Sequence, residues 1–355
     1  MAKARSEKVF VAMSGGVDSS VAAALLKKRG YEVVGVFIKI EVADTGGCDW
    51  REERRDARRA AAALKIPLLT FDLSREYQQS VIDYLVREYG AGRTANPDVM
   101  CNKQIKFGAF FREAIRQGAD LIATGHYAKL EKTSNLKLQI SKDEEKDQTY
   151  FLWSIKSEIL KNCLFPIGDY KKAAVRQLAQ KFGLPNAAKP DSQGLCFLGQ
   201  FDFKDWLAKF LPENPGLVLS EAGQVIGRHR GVQFYTIGER HGFTITKPLI
   251  GAGPHYVVAK DIVSNTLTVA AKLKQSEWSV REIKLAEPNW FGDLPKEGRV
   301  YSARLRYRAP LAPCRINAAT GEIKVIFDKP QNGVTPGQSC VIYDHDVCLG
   351  GGVIF

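Results

Sequence analysis

Three short stretches hold the side chains able to do chemistry. The run Met13-Ser14-Gly15-Gly16-Val17-Asp18-Ser19-Ser20 sets two adjacent glycines among three serines and an aspartate. Adjacent glycines let a backbone approach a ligand closely, and a helix that starts just behind them offers unpaired N–H groups to an anion. Asp18, Ser19 and Ser20 add a cap and hydroxyl donors. Phosphate binding is the chemistry this run suits, although a glycine pair also serves plain turn geometry. No G-x-x-x-x-G-K-[ST] run and no G-x-G-x-x-G run occurs in the chain, which argues against a γ-phosphate lysine of the P-loop kind and against nicotinamide chemistry.

The other two stretches carry thiols. Cys101 lies in Asn96-Pro97-Asp98-Val99-Met100-Cys101-Asn102-Lys103, a turn leading into a helix whose N-terminal dipole, with Lys103 and Lys106, favours thiolate over thiol. Asp98 opposes that effect but can accept or hold a proton. Cys196 lies in Lys189-Pro190-Asp191-Ser192-Gln193-Gly194-Leu195-Cys196-Phe197, a polar loop. Both are candidates for thiol chemistry, and both could instead be small buried hydrophobes. Cys48 beside Gly46 and Gly47 is a lesser candidate, and Cys163, Cys314, Cys340 and Cys348 are assigned to packing. His126 sits in a turn where it could meet a ligand; His255 and His345 stand in no recognisable arrangement, and no metal-ligand spacing is present.

The elements that must position these groups read as strands alternating with helices. Residues 8–12, 32–40, 68–72 and 121–124 are aliphatic runs of strand length; 21–29, 51–64, 75–88 and 103–117 have helical texture. That alternation predicts a doubly wound parallel sheet, with ligands at the carboxyl ends of its strands. The glycine loop, the end of the second strand and Thr124-Gly125-His126-Tyr127 then share one rim. Helices follow at 171–182 and 203–211, and Pro212-Glu213-Asn214-Pro215-Gly216 breaks the chain. Beyond it, alternating stretches at 218–225, 232–237, 256–260 and 266–270 predict a small β-rich domain; those at 300–308, 323–327 and 340–343 predict a terminal barrel. The expected domains are 1–211, 212–280 and 281–355. On a strand over 300–308, Arg304, Arg306 and Arg308 would share one face, a row suited to phosphates.

Composition narrows the function classes. At 355 residues the chain has room for two or three cores. Net charge of +12 suits a polyanionic partner. Seven cysteines without C-x-x-C pairs fit neither a secreted disulfide framework nor a zinc ribbon, and a reducing cytoplasm is the expected location. No apolar run approaches the roughly 20 residues of a membrane span, and no signal-peptide core follows Met1, so no membrane partner is expected.

The S-G-G-x-D-S order resembles the pyrophosphatase loop of the ATP-pyrophosphatase (PP-loop) superfamily. Taken with Asn96-Pro97-Asp98, Cys101-Asn102, Thr124-Gly125-His126-Tyr127-Ala128, Lys146-Asp147-Gln148-Thr149-Tyr150-Phe151-Leu152, Asp191-Ser192-Gln193, Cys196-Phe197, Tyr235-Thr236-Ile237-Gly238 and Pro336-Gly337-Gln338, it resembles the bacterial tRNA-specific 2-thiouridylase family along nearly the whole chain. The resemblance implies an adenine nucleotide alpha-hydrolase-like first domain and a tRNA-binding C-terminal β-barrel. It implies adenylation of the 2-oxygen of the wobble uridine by ATP with Mg2+, then replacement by sulfur. Cys196 would carry that sulfur as a persulfide, Cys101 would liberate it and become its disulfide partner, and Asp98 would be the acid/base. The ATP site would comprise Ala12, Met13, Ser14, Gly15, Gly16, Val17, Asp18, Ser19, Ile38 and Gly125. The tRNA contacts would comprise Asn96, Pro97, Asp98, His126, Lys146, Asp147, Gln148, Arg306, Tyr307 and Gln338. A sulfur-donor protein, such as a cysteine desulfurase or a sulfur-relay protein, is the further implied partner.

The chain departs from the family pattern at Ile38, where methionine is expected, at Cys48, which lacks an adjacent cysteine, and at Glu239-Arg240-His241, where a glutamine-rich version is expected. The competing readings are another PP-loop ligase, which would not need the cysteines, another tRNA-modifying PP-loop enzyme, and a non-catalytic RNA-binding protein.

Overall fold

Strands β1 (Lys8–Ala12) and β2 (Glu32–Lys39) are buried over nearly their whole length, the mark of parallel strands covered on both faces. Between them runs α1 (Val17–Lys28), which buries its alanines and leucines against the sheet. It stops where Gly30 N bonds the Lys27 carbonyl at 3.0 Å and Tyr31 N bonds that of Leu26 at 3.2 Å, a Schellman closure. Helix α2 (Trp50–Ala63) then leads to β3 (Leu68–Asp72). Further along come β4 (Leu121–Ala123), a hairpin of β5 (Lys129–Lys132) and β6 (Leu136–Gln139), and β7 (Cys163–Leu164). The computed structural model describes residues 6–42, 50–133, 136–191, 197, 202–247, 254–270, 279–318 and 321–355.

The first sheet is parallel, in the order β3-β2-β1-β4-β7. The order reverses at β1, so the crevice lies between the chain leaving β1 and the chain leaving β4. A second sheet holds β8 (Gly216–Ser220), β9 (Val225–His229), β10 (Thr244–Ile245), β11 (Tyr256–Asp261) and β12 (Thr266–Ala270). The third holds β13 (Val280–Trp290), β14 (Tyr301–Arg304), β15 (Ala312–Asn317), β16 (Ile323–Gln331), β17 (Ser339–Asp344) and β18 (Val347–Ile354). It runs β13-β16-β15-β14-β17-β18 and closes through a β13–β18 pairing into an antiparallel barrel. The hairpin from the first part of the chain is stitched to this barrel, with Gln139 opposite Val347 and Leu138 opposite Cys348.

Four sequence expectations change. The stretch 218–225 is two strands, because Ser220 and Gln224 close a hairpin turn at 2.8 Å. Residues 232–237 form no strand; Val232–Phe234 is a short 3-10 turn after Gly231. The helix expected at 103–117 starts six residues earlier at Pro97, because the Asn96 side chain caps it by accepting from Val99 N at 3.2 Å and proline suits a first helical position. Strand β14 ends at Arg304 and Arg308 takes a left-handed φ of 62°, so the three arginines do not form a row.

The second sheet contains a histidine whose tautomer the backbone dictates. Gly231 N donates to His229 Nδ1 at 3.0 Å, so Nε2 carries the proton and donates to the Asn265 carbonyl at 3.2 Å. Burial holds His229 below its ordinary 6.5, although the Asn265 carbonyl opposes the shift. The unfolded chain therefore takes up the proton first, and stability present above pH 6.5 is lost as pH falls. His229→Gln should flatten the decline in melting temperature between about pH 7 and pH 5; equal slopes for the two proteins would show that this ring does not titrate on unfolding.

Candidate active site

A cavity of about 180 Å³ opens at the reversal point of the parallel sheet. Ala12, Met13, Ser14, Asp18 and Ser19 line it from the β1 side, Ile38 from the end of β2, and Thr124, Gly125 and His126 from the chain leaving β4. Gly15 has a φ of 81°, and a side chain there would collide with the Glu53 carbonyl oxygen. Gly125 lies so close to the start of α1 that a Cβ would stand 2.7 Å from Ser19 N. The second contact brings the two rims of the crevice together. Ser19 Oγ donates to the Gly16 carbonyl at 3.2 Å and Ser20 Oγ to the same oxygen at 2.9 Å. Asn186, which the sequence reading passed over, braces the loop by donating to the Gly15 carbonyl at 2.8 Å and to Ser20 Oγ at 3.0 Å.

Lys172 was also missed, because a lysine at a helix start reads as solvated surface. It is only 14% exposed, and its ammonium meets both Asp18 oxygens at 2.8 Å and Asp191 Oδ1 at 2.7 Å. Tyr127 OH donates to Asp18 Oδ1 at 2.9 Å. Asp191 also takes Lys146 at 2.9 Å and Arg176 at 2.9 Å. Burial pushes the Asp191 carboxyl up, and its partners, Lys172 and Lys146 foremost, outweigh that and hold it at about 2. The loop and the segment leading towards Cys196 are thus joined through one cation. Cys196 and Cys48 lie outside the described residues; Phe197 lines the cavity.

His126 is buried, with Nδ1 2.7 Å from Thr124 Oγ1. Burial, with the charge of Lys106 beside it, pushes its pKa well below the ordinary range, so the ring is neutral. Gln148 also lines the cavity and is tied to Tyr127 twice, accepting from Tyr127 N at 2.9 Å and donating its own N–H to the Tyr127 carbonyl at 2.8 Å.

The other sequence candidates gather along the seam between the parallel sheet and the barrel. Gln338 donates to the carbonyls of Thr94 and Ala95, each at 3.1 Å, and Thr94 N bonds the Pro336 carbonyl at 2.9 Å. The turn carrying Asn96, Pro97 and Asp98 is therefore held by the barrel. Thr94 Oγ1 meets Thr236 Oγ1 of the middle part of the chain at 3.2 Å. Cys101 is 0% exposed and ends the helical segment Pro97–Cys101, one turn beyond the position where the dipole acts most strongly. Next to it, Asn102 Nδ2 bonds the Phe151 carbonyl at 3.1 Å, and the Phe151 ring packs 4.5 Å from that of Tyr307.

Two expected tRNA contacts have hydrogen-bond partners within the protein, Arg306 at the exposed surface and Asp147 in the interior. The Arg306 guanidinium bonds the carbonyls of Gly333 and Ile237 and, at 2.9 Å, Thr335 Oγ1. Asp147 is 1% exposed and its carboxylate is bonded by Ser141 N and Thr149 Oγ1. Replacing Lys172 by Met would leave Asp18 and Asp191 facing each other across a site built for anionic ligands. Lys172→Met should lower ATP consumption by about 100-fold, measured as pyrophosphate release, and retention of near-normal turnover would remove Lys172 from the site.

Residues 7–200 match the family model described as tRNA methyl transferase HUP domain, 204–271 the tRNA methyl transferase PRC-barrel domain, and 280–354 the aminomethyltransferase beta-barrel domain. The chain is 44% identical to the tRNA-specific 2-thiouridylase MnmA of Cupriavidus metallidurans over 355 residues, covering 98% of this chain and 99% of that one. It is 44% identical to the proteins of that name from Geobacillus thermodenitrificans, covering 98% and 94% of the two chains, and from Nitrosomonas europaea, covering 98% of each. With such identity sustained across all three matched regions, the chain belongs to the tRNA-specific 2-thiouridylase family.

Proposed function

We propose that this protein converts the wobble uridine of tRNA to 2-thiouridine, using ATP and a cysteine-borne sulfur. The observation that carries the reading is the composition of the cavity at the reversal point of the parallel sheet. Donors suited to phosphate (the Ser14 and Ser19 hydroxyls and the Gly125 backbone) and the Asp18 carboxylate share it with His126 and Gln148, and with Phe197, the residue after Cys196.

Met13 and Ile38 offer apolar surface to an adenine, and the N–H groups at the start of α1 are suited to hold a phosphate bound beside them. ATP is a co-substrate here. A uracil carbonyl oxygen is a poor leaving group; joined to AMP, with pyrophosphate released, it becomes a good one. Magnesium would arrive with the phosphates, which suits a cavity whose one lining carboxylate among the described residues is Asp18. Bound there, it would neutralise phosphate charge.

Cys196 holds the incoming sulfur as a persulfide. The Cys101 thiolate attacks Cys196 Sγ, the persulfide S–S bond breaks with its electron pair on the outer sulfur, and that sulfur adds to C2 as AMP leaves. A Cys101–Cys196 disulfide remains, which a cellular thiol must reduce, as the cytoplasm provides. Asp98 takes and returns the proton, from a turn whose position the barrel sets through Gln338. A sulfur-donor protein reloads Cys196. The net charge of +12 favours tRNA as the polyanion.

Nucleoside mass spectrometry after incubation of tRNA with protein, ATP, magnesium and a sulfur donor should show 2-thiouridine. Cys196→Ser and Cys101→Ser should each abolish it while leaving tRNA binding intact; full activity in Cys196→Ser would point to a PP-loop ligase instead. Binding should weaken about 10³-fold or more between 50 and 200 mM salt if six or more phosphates are contacted, and a flat response would contradict the tRNA assignment.

A further inference from the structure

The barrel carries one deeply placed cation, and it points at the motif Lys146-Asp147-Gln148. Arg304, the last residue of β14, is 12% exposed at its side chain; its guanidinium lies 5.4 Å from the centre of the Tyr343 ring, and one nitrogen stands 3.3 Å from Asp147 Oδ2. Asp147 Oδ2 also accepts from Thr149 Oγ1 at 2.6 Å, and Thr149 Oγ1 lies 3.1 Å from Tyr343 OH. Asp147 Oδ1 accepts from Ser141 N at 3.0 Å. The carboxylate is thus held by Ser141, Thr149 and, from the barrel, Arg304, and Tyr343 of the barrel supports it through Thr149.

What flanks Asp147 gives this joint a consequence. On one side Lys146 Nζ holds Asp191 Oδ2 at 2.9 Å, one residue before the segment that ends in Cys196. On the other, Gln148 grips the Tyr127 backbone, and the Tyr127 hydroxyl bonds Asp18 in the nucleotide loop at 2.9 Å. A shift of Asp147 moves both neighbours, since three consecutive residues cannot move independently.

We infer that Asp147 and Arg304 form a positioning pair through which the barrel sets the nucleotide loop and the anchor of the Cys196 segment. The pair touches no reacting atom. It acts through Gln148, Tyr127 and Asp18 on one arm and through Lys146 and Asp191 on the other. This inference rests on the thiolation reading for its activity readout and on geometry for its nucleotide readout.

The test compares the full-length wild type with Asp147→Asn, Arg304→Lys and the neutral double variant D147N/R304M. Asp147→Asn keeps the shape and an acceptor for Ser141 N while removing the charge. At saturating tRNA its turnover should fall by about tenfold or more, the scale of a small misplacement of reacting groups. Its affinity for α,β-methylene ATP should fall with it, while tRNA Kd and the salt dependence of tRNA binding stay unchanged. Arg304→Lys, which keeps the cation, should retain most activity, and the double variant should lose less than the product of its single losses.

A tRNA Kd weakened with turnover preserved would make Asp147 an RNA contact and overturn the inference. A lower melting temperature with turnover and nucleotide affinity intact would make the pair structural only, and would overturn it too. If the wild type itself forms no 2-thiouridine, the thiolation reading fails. Nucleotide affinity then decides alone: unchanged binding of α,β-methylene ATP by Asp147→Asn overturns the pair, and weakened binding upholds it.

Discussion

One ammonium between two carboxylates ties the two halves of this site together. Lys172 meets Asp18 in the nucleotide loop and Asp191 at the edge of the cysteine-bearing segment, each within 2.8 Å. Opposite charges in a half-buried setting repay their desolvation only when the geometry is close and the remaining lone pairs are satisfied. Here Tyr127 serves Asp18, and Lys146 and Arg176 serve Asp191. The folded-state pKa of Asp191 is depressed, so its contribution is complete at neutral pH and is lost only as pH falls below about 4 towards 2. The Asp191 end of the bridge is therefore charged at neutral pH.

The remaining constraint is that the chemistry sits at a seam rather than inside one domain. The turn that carries Asn96, Pro97 and Asp98 has its preceding carbonyls bonded by Gln338 and its Thr94 hydroxyl beside Thr236. The β5–β6 hairpin leaves the parallel sheet and becomes part of the barrel's sheet. A close approach at Gly337, where a Cβ would lie 2.8 Å from the Thr94 carbonyl oxygen, leaves little play in that docking. Three parts of the chain thus set the turn that carries Asp98, and a large polyanion lying across the seam would meet all of them at once.

The sequence made legible whatever depends on neighbours in the chain. The glycine loop, the stop after α1 and the alternation of strands and helices follow local rules, and the structure has each of them. Strand pairing is not local, so neither the closure of β13 on β18 nor the stitching of β6 to β18 could be read in advance. Lys172 and Asn186 escaped because a lysine at a helix start and an asparagine after a Gly-Leu-Pro turn have ordinary surface explanations. Only the fold brings Asn186 back to Gly15, 171 residues away.

The arginine row failed for a more specific reason. The order Arg304-Leu305-Arg306-Tyr307-Arg308 alternates like a strand because Leu305 is buried and Tyr307 packs on Phe151 across the seam, not because the backbone is extended. Packing from outside the element produced the period of 2 that a strand would produce from within. The consequence is a division of labour among the cations. Arg304 turns inward to Asp147, Arg306 binds loop carbonyls, and Arg308 is left exposed beside the Tyr307 ring at 5.1 Å. Within this motif Arg304 ties the barrel to the first part of the chain and Arg306 ties a barrel loop to the middle part, so the electrostatic attraction for a polyanion comes from the whole basic surface rather than from a strand-borne row alone.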